Sequence, residues 1–212
     1  MELYRYIVTH DTGFAPNPFH EHCTLATCKP EIRRMASVGD WIMGLGSVGA
    51  GLGRQLIYAM QISETLSFEE YWDDPRFECK KPRVSSDMRL ECGDNVYRRD
   101  DRTGDWIQLP CHHCAEDMRR DLKVNRVLIG TRFAYFGSSA CDLPAECMNW
   151  DDKYFVGIRG HRVADLTEWQ IDELVEWLES LCQGSSLRGV PAEARELTGG
   201  VSARATDRRP DS

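Results

Sequence analysis

VGDWIMGLGS, residues 38–47, and RQLIYAMQISETLSFEEYW, residues 54–72, decide the fold. The first run opens on a Gly39-Asp40 turn and continues as an apolar stretch, which reads as a strand over Val38–Gly46. SVGAGLG, Ser47–Gly53, reads as a flexible glycine-rich tip, and Gln55–Glu64 as the returning strand of a hairpin. Ser67 followed by Glu70 is a capping-box pattern, so a short helix is predicted over Phe68–Trp72, ended by Asp74-Pro75. The string Gly44-x-Gly46-x-x-Gly49 fits a dinucleotide fingerprint, but a strand rather than a helix follows it. The Gly-Lys-Ser/Thr ending of a phosphate loop is missing as well.

Working outward, Leu3–Thr9 alternates as a first strand, and His10–His22 is a long loop broken by prolines and a glycine. Cys23–Cys28 is a short strand or turn, and Pro30 starts a helix to Met35. Downstream, Cys79–Cys92 is a basic loop, and Asp94–Arg98 is expected to pair with Asp105–Leu109 around the turn Asp101–Gly104. Asn125–Gly130 reads as a buried strand, Phe133–Gly137 as the next, and Lys153–Arg159 as the last. Thr167 with Gln170 caps an amphipathic helix to Cys182, whose stripe is Trp169, Leu174, Leu178 and Leu181, widened by Ile171 and Val175. The expected fold class is α+β: a small β-barrel or half-barrel with peripheral short helices and one C-terminal amphipathic helix. One domain is expected over 1–183, with its core in 1–160 and the helix in 166–182. Residues 185–212, rich in Ser, Gly, Arg, Ala and Pro, are expected to be a disordered tail.

Composition is that of a globular chain, with 42% hydrophobic and 28% charged residues. The formal net charge of −8 excludes a generic polyanion binder, while leaving room for a local basic groove or a free nucleotide. No apolar run is long enough to span a membrane, and Trp41–Met60 is interrupted by glycines, a serine and an arginine. Met1-Glu2-Leu3-Tyr4 has no basic or apolar leader, so a cytoplasmic location is expected. Nine irregularly spaced cysteines then read as thiols rather than a disulfide framework.

The order of Gly-Asp turn, strand, glycine-rich tip, returning strand and aromatic helix resembles PUA-like barrels such as EVE and ASCH domains, which hold a base in a pocket. Three longer runs carry a more specific likeness: THDTGFAPNPFHEHCTLATCKPEIRRMASVGDWIMGLGS, LIYAMQISETLSFEEYWDDPRF with KKP after it, and GDNVYRRD…WIQLP.HH…NRVLIGTRFAYFG. In this order and spacing they resemble the nucleotide modification associated domain 2 family, over roughly Met1–Pro144. The resemblance implies a role beside DNA base modification, in phage and bacterial defence settings, without a settled reaction. The family pattern includes the histidine pair but not the cysteines flanking it.

Four groups of residues can carry chemistry. Asn17, His20, His22, Cys23, Cys28 and Lys29 lie in and after the proline-bearing loop, where Cys23 near two histidines is a candidate nucleophile. Cys111-His112-His113-Cys114 offers two histidines for proton transfer. The Cys-x-x-Cys spacing with histidines between also matches half of a tetrahedral zinc site, with Cys111, His113 and Cys114 as its ligands here and a second half to come from His20, His22, Cys23 or Cys28. No cofactor is expected, and zinc is the one metal the pattern allows. Asp94, Asn95, Tyr97 and Trp106 could read and stack a base, with Phe14 and Asn17 from the loop and Asn125-Arg126 beside them. Lys80, Lys81, Arg83 and Arg89, with Arg98, Arg99 and Arg102, could form a phosphate-binding edge or a solvated face.

Three functions remain open. A binding module would hold a normal, modified or flipped nucleobase of DNA. An enzyme would act on a nucleotide or DNA base with His112, His113 and Cys23. An interaction subunit would meet other proteins of a modification system through its C-terminal helix.

Overall fold

A computed structural model describes residues 1–150, 166–184 and 186–193. The expected strand Lys153–Arg159 lies outside these residues. In chain order the strands are β1 (Leu3–Val8), β2 (Cys23–Leu25), β3 (Trp41–Gly46), β4 (Gln55–Gln61), β5 (Glu64–Leu66), β6 (Tyr97–Arg99), β7 (Trp106–Gln108), β8 (Val127–Gly130), β9 (Arg132–Tyr135) and β10 (Cys141–Asp142). The α-helices are α1 (Pro30–Met35), α2 (Phe68–Asp73), α3 (Met88–Glu91), α4 (Ala115–Asp121) and α5 (Glu168–Leu181).

The predicted hairpin is β3–β4, the centre of a five-stranded sheet. β1 runs parallel to β3, and β9 and β10 share the far edge of β4. The Gly-Asp turn locks the N-terminal strand in place. Asp40 accepts the Glu2 and Ser37 backbone N–H groups, each at 2.8 Å. Gly44 serves close approach rather than flexibility, because a Cβ there would lie 2.4 Å from the Tyr58 ring. The register of the hairpin shifts just after it.

A second sheet has the order β2-β8-β5, and β6–β7 form the predicted small hairpin. Two of the passages between the larger sheets, from β4 to β5 and from β8 to β9, run side by side. Ser63 donates to the Ile129 carbonyl at 2.8 Å at this corner. A Cβ at Gly130 would sit 2.6 Å from the Gln61 carbonyl, so only glycine lets the two backbones cross there. The mixed α+β class is as expected, but among the described residues the sheets do not close into a barrel. β1 and β2 are consecutive, yet they belong to different sheets because the long loop between them is tied down elsewhere.

The central sheet buries one face against α5 through Leu174, Val175 and Leu178. The capping box of Thr167 and Gln170 is formed. Trp169, expected in the apolar stripe, is 59% exposed and meets Trp150 edge-on at 5.8 Å. The opposite face packs Tyr6, Ile42, Tyr58 and Met60 against Cys23, Leu25 and Leu128. A third cluster gathers Phe14, Phe68, Tyr71, Phe77 and Tyr97 around α2.

Residues 186–193 differ from the expected tail. Tyr135 donates to the Ser186 carbonyl and accepts from Arg188, both at 2.8 Å, and Ser138 donates to Val190 at 2.8 Å. The edge of β9 supplies unpaired backbone groups, and such an edge recruits a passing chain whatever its side chains. Composition carries no sign of this. Among the described residues no helix is long and apolar enough to cross a membrane.

Candidate active site

The proline-bearing loop is fixed by a buried polar network. Lys80, wholly buried, donates to the Asn17 carbonyl (2.9 Å), Asn17 Oδ1 (2.7 Å), the His22 carbonyl (2.7 Å) and Thr24 Oγ1 (3.1 Å). Asp94 accepts from Thr24 Oγ1 at 2.6 Å and from the Tyr71 hydroxyl at 2.8 Å. Burial pushes the Lys80 ammonium down to about 8 and the Asp94 carboxyl up. Satisfied this way, the network holds Phe14 and the strand that leads into Cys28.

The turn after that strand carries two left-handed residues, Cys28 (φ 59°) and Lys29 (φ 38°), before Pro30 opens α1. Non-glycine residues in this region are strained by about 1–3 kcal/mol each and persist only where their surroundings impose them. Here the imposing groups are Arg33 and Asp121. Arg33, fully buried, donates through Nε to the Cys28 carbonyl at 2.8 Å. Its remaining nitrogens reach the carbonyls of Asp121 (2.8 Å), Val124 (2.6 Å) and Arg126 (2.8 Å). The Cys28 backbone N–H donates to Asp121 Oδ1 at 2.8 Å.

Asp121 sits at the end of α4, with its side chain wholly buried. Its Oδ2 lies 2.7 Å from His113 Nδ1 and accepts from the Tyr97 hydroxyl at 2.9 Å. The other ring nitrogen of His113, Nε2, stands 3.3 Å from Cys28 Sγ. Sulfur, imidazole and carboxylate therefore form one hydrogen-bonded series. Burial works against the imidazolium, but the hydrogen bonds to Asp121 and Cys28 prevail and hold His113 up at about 10. The ring is oriented further by Gln108, whose amide donates to the His113 carbonyl, and by Phe14, which meets it edge-on at 4.9 Å.

The series opens into a cleft of about 810 Å³, lined by Tyr6, Phe14, Cys28, Lys29, His112 and His113, with Arg120 and Glu193 also on its wall. This volume is in the range of small-molecule sites, about 300–1,000 Å³. His112 stands 5.9 Å from Phe14, and burial followed by the charge of His113 pushes its imidazole below the usual range. Lys29 Nζ lies 4.5 Å over the Tyr6 ring. A thiol next to an imidazole that is itself oriented by a carboxylate is the arrangement of nucleophilic cysteine catalysis.

Of the sequence-predicted residues, Phe14, His112 and His113 meet at this cleft. Cys23 does not, since it is wholly buried between the sheets and burial pushes its thiol far up. The thiol that lines the cleft beside His113 is that of Cys28, five residues on. Asn17 and Asp94 belong to the buried network, and Asn95 donates to the Tyr71 and Phe77 carbonyls. Tyr97 is buried and supports Asp121 from behind instead of stacking on a ligand. Trp106 is covered by the Arg99 guanidinium at 3.9 Å. Asn125 caps α2 through Phe68 N at 2.7 Å, and Arg126 reaches the Arg34 carbonyl.

The basic loop is largely neutralised. Lys81 and Arg83 pair with Glu78, Arg89 with Asp87, and Arg99 with Glu69. Cys111 takes a hydrogen bond from Gln108, and His113 spends both ring nitrogens on Cys28 and Asp121. Among the described residues no three His, Cys, Asp or Glu groups are placed to hold a metal ion.

Asp121 and Arg33 escaped the sequence reading. The signal for Asp121 was a weak one: Cys114 followed by Asp117 is a cap pattern, and it starts the unpredicted α4 that carries Asp121 on its last turn. A family model described as nucleotide modification associated domain 2 matches residues 1–198. No curated protein and no solved structure matches the chain.

Proposed function

The chain belongs to the nucleotide modification associated domain 2 family, and on that premise we propose that it is an enzyme of nucleotide modification whose nucleophile is Cys28. The observation that carries this reading is the Cys28–His113–Asp121 series on the wall of a ligand-sized cleft. The base lies against Phe14 and His112. His113, whose charge Asp121 stabilises, stands within reach of the Cys28 proton. The sulfur electron pair forms an S–C bond to an electrophilic carbon of the base or of the modifying group. The displaced electron pair on the substrate takes the proton from His113. The adduct goes on to product when water attacks the same carbon: the S–C bond breaks, its electron pair leaves with sulfur, one water proton passes to His113, and the substrate keeps the hydroxyl.

The nucleobase partner expected from the sequence is retained, and so is the setting of DNA modification or phage defence. The bent corner between the larger sheets supports a half-barrel of the PUA-like kind. All nine cysteines are free thiols, which suits a reducing cytoplasm.

The test is alkylation of the native protein by iodoacetamide, with site-by-site mass spectrometry. Cys28 is expected to react fastest of the nine, because His113 stands against its sulfur. His113→Ala should slow Cys28 to the rate of exposed Cys114. A Cys28 no faster than exposed Cys114, with an ordinary thiol profile, would reject the enzyme reading in favour of a base-binding module.

A further inference from the structure

Beside the nucleophile stands a cation that the series above does not use. Lys29 follows Cys28 directly, and their two left-handed residues bring sulfur and ammonium to the same cleft. The other cleft-lining cations have carboxylate partners, Arg120 with Asp117 at 2.6 Å and His113 with Asp121 at 2.7 Å, and His10 stands 3.3 Å from Glu193. Among the described residues Lys29 Nζ has only the Tyr6 ring as partner, at 4.5 Å. An ammonium half-withdrawn from water without a carboxylate partner is costly, and an incoming anion relieves that cost. Burial accordingly pushes Lys29 below the usual lysine range.

We propose that the cleft binds a free mononucleotide, with its phosphate on Lys29 and its base against Phe14 and His112. This rests on the same site as the proposed function and names its substrate class. One unpaired cation suits one phosphate. A polynucleotide needs a row of free cations along its backbone. Here Lys81, Arg83, Arg89 and Arg99 are paired with carboxylates, and the chain carries a net charge of −8. The rim itself holds Glu31 and Glu193, which repel a long polyanion while leaving Lys29 between the aromatic walls.

The test is isothermal titration of the Cys28→Ser protein, so that no covalent step is needed. The probes are the deoxyribonucleosides, their 5′-monophosphates, inorganic phosphate and a short duplex. The monophosphates should bind at least about tenfold more tightly than the matching nucleosides, and inorganic phosphate should compete with them. Lys29→Met should erase the difference while nucleoside binding persists, and Lys29→Arg should keep most of it. Equal affinity for nucleoside and monophosphate, a preference that survives Lys29→Met, or a duplex that outcompetes the mononucleotides would each overturn the proposal. The alkylation profile of Cys28 reports on the chemistry independently. An ordinary profile combined with a Lys29-dependent phosphate preference leaves the anion site standing and removes only the nucleophile.

Discussion

Asp121 Oδ2 lies 2.7 Å from His113 Nδ1, in a pocket where neither the carboxylate nor the guanidinium of Arg33 behind it touches water. The same carboxylate holds the Cys28 backbone through its second oxygen. One buried charge thus sets both the orientation of the imidazole and the position of the sulfur.

Asp121→Asn should therefore be costly twice over. The buried Arg33, 3.7 Å from Oδ1, loses its counter-charge, and breaking such a pair costs about 3–5 kcal/mol. Urea unfolding is expected to show a loss of that order, and the fast alkylation of Cys28 should disappear with it. A loss no larger than that of a surface substitution would mean that Asp121 does not hold the site together.

The raised His113 gives a signed pH dependence. Its folded value of about 10 lies above the ordinary histidine value of 6.5. The stabilisation is thus complete below about pH 6.5 and is lost as pH rises towards 10. The difference in unfolding free energy between wild type and His113→Gln should be largest at about pH 6 and shrink steadily above neutrality. Lys80 titrates in an overlapping range with the opposite sign, having been lowered to about 8, but it is present in both proteins and cancels. A difference that grows with pH would contradict the ion-paired His113.

Cys23 and Cys28 should separate cleanly. Cys23→Ser places a hydroxyl in an apolar interior and is expected to cost about 1–3 kcal/mol, while Cys28 in the variant keeps its alkylation profile. Cys28→Ser should leave the melting temperature nearly unchanged and abolish the fast-reacting thiol. The reverse pattern in thermal melts and mass spectrometry would return the nucleophile to Cys23.

The stretch after α5 is tied to both sheet and cleft. Asp11 accepts the Ala192 N–H at 3.0 Å and the Tyr135 hydroxyl, and Glu193 reaches His10. Ending the chain after Gln183 removes these contacts along with the backbone bonds to β9. The truncated protein should lose about 2 kcal/mol or more in chemical denaturation and should show faster amide exchange along β9. Unchanged protection there would show that the segment contributes nothing to the sheet.

The sequence by itself determined the local elements and the family. The β3–β4 hairpin, the capping boxes at Ser67 and Thr167, proline at the start of α1 and the long apolar strands are written in neighbouring residues. Caps, turns and periodicity act over a few positions, so they can be read from a string. Tertiary structure alone decided the site. Asn17, Asp94 and Asn95 looked like readers of a base edge, because their side chains carry the right donors and acceptors. Burial turned them instead into the scaffold of Lys80 and Tyr71. Cys28, His113 and Asp121 are brought together by a turn, a loop and a helix with no common period. Their chemistry depends on desolvation and on distances of a few ångströms, and both exist only once the chain has packed.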